Sequence, residues 1–164
     1  MKKVMTQVIM ITFLSVTVLA QPASKELPKE VASAFSSKYP ATAIKNWHLK
    51  NDDYVVKFKR NDKTHFAFYA ASGAWLKTET NYAFTHSLPV EIKNGWKKTE
   101  YRSWIVNEIK EVESAGDDLF VLQVTNSFTY DADHLPEKYT YNLYFSKTGQ
   151  FVKKQEVPWG SKEQ

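Results

Sequence analysis

The chain has 164 residues, with 22 basic and 18 acidic side chains, a formal charge of +4 and no cysteine. The charges are interleaved without a basic block, which argues against nucleic-acid binding. The lack of cysteine excludes a disulfide framework, a thiol nucleophile and an iron–sulfur site. Aromatics make up 15% of the chain, so the core or a surface must use them heavily.

Lys2 and Lys3 open the chain, and an apolar run follows to Ala20. The run is close to membrane-spanning length, but no basic stop-transfer cluster follows it. Val18-Leu19-Ala20 reads as a small-residue cleavage site, and Gln21-Pro22-Ala23-Ser24 as a mature terminus. The expectation is a signal peptide over 1–20, removed on export to a periplasmic or secreted location, with no membrane attachment afterwards. Subtracting residues 1–20, with Lys2 and Lys3, leaves 144 residues carrying 20 basic and 18 acidic side chains. That length suits one domain or two small fused repeats.

Leu27-Pro28 opens "LPKEVASAFSSKYP". Proline suits a helix start, because its missing N–H would be unpaired there. Val31, Ala34 and Phe35 fall at helical spacing, and Pro40 stops the helix. Strands are expected over Thr42–Lys50, Asp53–Arg60, Lys63–Ala70 and Ala74–Thr80, joined by turns at Asn51-Asp52, Asn61-Asp62 and Ser72-Gly73. The order then repeats. Leu88-Pro89 opens "LPVEIKNGWKKTEY", with Ile92, Gly95 and Trp96 at helical spacing. Strands are expected over Ser103–Glu113, Leu119–Phe128, Lys138–Ser146 and Gln150–Glu156. Asp117-Asp118-Leu119-Phe120 answers Asp52-Asp53-Tyr54, and Gly149 answers Gly73. The second copy is longer, with insertions around Glu113–Gly116 and at "TYDADHLPEK", Thr129–Lys138. Phe35 and Trp96 should be equivalent residues packed on the sheet.

This twice-written unit resembles the PepSY-like family of exported bacterial proteins, related in architecture to the beta-lactamase inhibitory protein. The resemblance rests on "LPKEVASAFSSKYPATAIKNW", "DDYVVKF" and "FYAASGAW", and on "LPVEI", "DDLFVLQV" and "YFSKTGQFVK" in the second half. It implies an α+β fold: two fused helix-plus-four-strand meanders, over 21–81 and 82–164, forming one eight-stranded antiparallel sheet with both helices on one face. It implies no established chemistry. Family members often carry an Asp shortly before the turn glycine. Ala70-Ala71-Ser72 stand there instead, so no role for that acid carries over.

Turn positions assign the two faces of each hairpin. With two-residue turns, Trp47, Leu49, Tyr54, Val56, Phe58, Ala67, Tyr69 and Leu76 share the face under the helix. His48, Val55, Lys57, Lys59, Phe66, Phe68, Trp75 and Lys77 share the open face. In the second unit Leu143, Phe145 and Val152 point in, while Asn142, Tyr144, Phe151 and Lys153 point out. Aromatics among lysines on a solvated sheet stabilise it through cross-strand pairs. Five aromatics on one face exceed that need, and such patches serve binding. The expected binding residues are therefore Phe66, Phe68, Trp75, Lys57, Lys77, Tyr144, Phe151 and Lys153.

No catalytic, metal or cofactor signature accompanies this face. His48, His65, His86 and His134 lack ligand spacing. Asp131 and Asp133 alternate in "DADH", but a calcium loop needs more ligands and a glycine. "SAGDD", Ser114–Asp118, lacks the glycine spacing and lysine of a phosphate loop. The expectation is a non-catalytic, inhibitor-like binding protein for an unidentified protein or peptide. The rival is a structural or stress-related envelope protein whose open face pairs with a second copy as a homodimer.

Overall fold

The computed structural model describes residues 26–126 and 139–158. The expected signal segment 1–20 and the Asp131–His134 loop lie outside them. Helix α1 spans Lys29–Lys38 and α2 spans Val90–Lys97. The prolines sit one residue before each helix. The Pro28 carbonyl accepts the Ala32 amide at 2.9 Å and the Pro89 carbonyl accepts the Lys93 amide at 3.1 Å. Glu30 and Glu91 lie in the first turns, where a negative charge complements the exposed amides.

The strands are β1 (Ile44–Lys50), β2 (Asp53–Arg60), β3 (Lys63–Tyr69), β4 (Trp75–Asn81), β5 (Ile105–Ser114), β6 (Leu119–Thr125), β7 (Thr140–Ser146) and β8 (Phe151–Glu156). They form one antiparallel sheet in chain order, with β4 and β5 joining the two halves. Asn51, Asp52, Asn61 and Asp62 all have φ between 49° and 68°. These residue types tolerate that conformation best after glycine, and it gives the tight turns that the sequence pattern anticipates. Short 3-10 turns at Thr85–Ser87 and Glu100–Ser103 flank α2, and the second begins just before the point where strand was expected.

Both helices cover the same face. Phe58, His65, Thr80, Glu111, Phe120 and Phe145 follow one another across six strands as paired residues, so they share one side of the sheet. The two ends of that row are core. Val31, Phe35 and Tyr39 pack with Val56, Phe58, Ala67 and Tyr69 under α1. Leu88, Ile92 and Tyr101 pack with Ile109, Phe120, Leu122, Val124, Leu143 and Phe145 under α2. The middle of the row is polar. The His65 ring stacks on Phe58 and shares a 2.8 Å hydrogen bond with Thr80, while the Tyr82 hydroxyl donates to Glu111 at 3.0 Å. Two apolar cores thus flank a hydrogen-bonded waist on one continuous sheet.

The hairpins that close each unit differ from the two-residue turns expected. The Gly73 amide donates to the Ala70 carbonyl and the Ala70 amide to the Ala74 carbonyl, each at 2.9 Å. Ser146, Gly149 and Gln150 repeat the pattern. Each loop therefore has three residues, with the glycine in the left-handed region at φ +83° or +80°. This is a type I turn followed by a bulge. The extra residue pairs Tyr69 with Trp75 and Phe145 with Phe151. A second bulge one step on restores the expected pairs Phe68–Lys77 and Tyr144–Lys153.

Candidate functional site

The register change corrects two of the expected binding residues. Trp75 belongs to the helix side: its ring packs against the α1 core. Its Nε1 donates to Thr78 Oγ1 at 2.9 Å, and the Lys38 ammonium stands 3.5 Å above the ring. Phe151 is its counterpart, meeting buried Phe145 edge-on at 5.6 Å. The residues displaced by the bulges, Leu76 and Val152, are exposed where they were expected inside. Leu49, also expected inside, is exposed as well.

The other six expected residues remain on the open face. Lys57, Phe66, Glu79, Val112, Leu119 and Ser146 form one row across the sheet. Asn81, Lys110, Val121, Tyr144 and Lys153 form the neighbouring row. The patches from the two units are thus ends of one surface, bridged by Val112, Leu119 and Val121. A cleft of about 160 Å³ on this face takes lining from every strand between β1 (His48) and β5 (Glu108). At this cleft the open face is concave. Val55 and Phe68 line this cleft and are only 2% and 8% exposed although no helix covers them, with the Lys77 side chain lying over the Phe68 ring.

Lysine stems lie over the rings. Lys77 Nζ is 4.3 Å from the Phe68 centroid, Lys57 5.6 Å from Phe66 and Lys153 4.7 Å from Tyr144. Lys77 also bonds Glu79 at 2.6 Å, and Lys110 approaches the other Glu79 oxygen at 3.5 Å. Burial alone would raise the Glu79 carboxyl. The hydrogen bond from Lys77 and the two ammonium charges outweigh it and hold the group below its usual value. Glu79 stays ionised and paired, a structural link between the units. Sequence reasoning missed this triad, because Lys110 reaches Glu79 only through the β4–β5 pairing. No hairpin turn sets that register, since a helix separates the strands.

His48 lines the open-face cleft and His65 lies on the helix side, on opposite faces as expected. Among the described residues no group of three or more His, Cys, Asp or Glu side chains could hold a metal ion. No described helix is long and apolar enough to cross a membrane.

No protein-family model matches the chain, and no curated protein is similar to it in sequence. Solved structures are similar in fold. A BLIP-like protein from Bacteroides fragilis superposes with a TM-score of 0.69 at 22% identity, covering 84% of this chain and 92% of its own. A DUF2874-family protein from Bacteroides uniformis gives 0.69 at 18% identity, covering 82% and 93%. A candidate periplasmic protein from Bacteroides eggerthii gives 0.64 at 18%, covering 80% and 90%. The fold is BLIP-like. At such identities the likeness concerns the fold alone.

Proposed function

We propose that this chain is an exported, non-catalytic binding protein that captures a protein or peptide on its concave face. Residues 1–20 act as the export signal, and 21–81 and 82–164 are the two PepSY-like repeats. The observation that carries the reading is the open face itself, where half-buried apolar and aromatic residues from Phe66 to Tyr144 lie on either side of the paired Glu79, Lys77 and Lys110. It is concave, uncovered by either helix, and rimmed by Lys57, Lys77 and Lys153. Curved faces with aromatic anchors and a charged rim are suited to seating a partner. The neighbours' descriptions as BLIP-like and periplasmic support a non-enzymatic envelope role.

The test is capture from envelope extract on immobilised protein, compared with Phe66→Ala and Lys57→Ala variants of unchanged melting temperature. A partner whose affinity falls about 30-fold with Phe66→Ala, roughly 2 kcal/mol, meets the expectation for an anchor. Retention indifferent to both changes removes the concave face from consideration. Light scattering separates the self-association alternative: a dimer broken by Phe66→Ala would make a second copy the occupant.

A further inference from the structure

A second site lies on the helix side, away from the concave face. α2, the Glu100–Ser103 turn and the Thr148–Phe151 segment enclose a groove of about 730 Å³, a volume at which small ligands are held. Its base is main chain. A Cβ built on Gly95 would stand 1.9 Å from the Gly149 carbonyl oxygen, and one built on Gly149 would stand 2.1 Å from the Glu91 carbonyl oxygen. Helix and turn therefore interlock, and the groove is formed before any ligand arrives, which lowers the cost of ordering on binding.

The lining has a definite chemistry. Glu91, Asn94 and Lys98 recur at helical spacing along one wall, and Gln150 lies among the residues of the turn. Among the described residues these four side chains make no hydrogen bond or ion pair with the rest of the protein. Phe151, 40% exposed, contributes a ring. A carboxylate and an ammonium in one groove favour neither a simple anion nor a simple cation. Two carboxamides beside a carboxylate offer adjacent donors and acceptors, which match neighbouring hydroxyls. The Phe151 ring offers a face for the C–H side of a sugar. From this combination we infer that the groove is a saccharide site, taking a neutral mono- or disaccharide. The site is independent of the concave face.

The experiment is an amide chemical-shift titration of the labelled protein with cellobiose, maltose and N,N′-diacetylchitobiose, with trialanine as a zwitterionic peptide control. At least one sugar should shift residues 91–101 and 148–151. Asn94→Ala or Gln150→Ala should weaken that sugar at least tenfold with the melting temperature unchanged, while Phe66→Ala leaves it unaltered. The inference is overturned if none of the sugars moves these amides, if trialanine moves them more strongly, or if sugar binding ignores both groove substitutions. None of those results bears on the concave face, whose test uses different residues.

Discussion

The two helix–hairpin corners are built on one plan and finished differently. In the first, Trp75 fills the angle between α1 and the turn. Lys38 lies on its ring, and Thr78 accepts its indole N–H while also bonding the Tyr39 hydroxyl. In the second, the same strand position holds Phe151, which is 40% exposed. Helix position 95 is glycine where the first helix has Ala34, and the turn presses directly on the helix backbone. Both turn glycines press on the helix backbone, Gly73 at Glu30 and Gly149 at Glu91. The first corner adds the side-chain packing of Trp75, whereas the second adds the contact of Gly95 with Gly149 and leaves a groove beside it. Two units of the same element order can thus differ in how a corner is finished, one filled by a large side chain and the other left open.

The largest expected effect is at the helix anchors. Phe35→Ala removes a fully buried ring and should cost about 3–5 kcal/mol in urea unfolding. Trp96→Ala, at the matching position but only partly buried, should cost less, about 2 kcal/mol. Equal losses would mean that the corners are energetically alike.

Next comes Gly95→Ala. In an exposed helix this change stabilises by about 1 kcal/mol. Here the new methyl meets the Gly149 carbonyl, so the expected outcome is a loss of about 1–3 kcal/mol, as for an overpacked core. A gain in melting temperature would show that helix and turn can part freely.

Trp75→Ala should cost about 2 kcal/mol through lost packing and the lost lysine–ring contact, against about 1 kcal/mol for Phe151→Ala. Calorimetry of the two variants checks the order. The reverse order would contradict the account of which corner is closed.

The smallest effect concerns the join between the units. Glu79→Gln should lose about 1 kcal/mol at neutral pH by unpairing Lys77 and Lys110. The folded-state pKa of Glu79 lies below its unfolded value of about 4.5, so its contribution is present above that pH and fades as pH falls through the folded value. Unfolding curves for wild type and Glu79→Gln should therefore converge in acid and separate above pH ~5. Curves that stay parallel throughout would remove the carboxylate's charge from the explanation.

Much of this is legible in the amino-acid sequence. The Leu-Pro starts, the Asn-Asp turns and the spacing of Val31 with Phe35 and of Ile92 with Trp96 act through local sterics and short-range periodicity. They determined the helices, the strand order and most of the division between covered and open faces. The turns at Gly73 and Gly149 were less transparent. A glycine at positive φ serves a two-residue or a three-residue loop equally well, and one extra residue moves Trp75 and Phe151 to the other side. Only the tertiary structure decided that choice, in which each turn glycine packs against the helix backbone at Glu30 or Glu91. It also decided the burial of Val55 and Phe68 on the open face and the pairing of Glu79 with Lys110. The pairing depends on how strands from separate units meet, which no local pattern in the chain encodes.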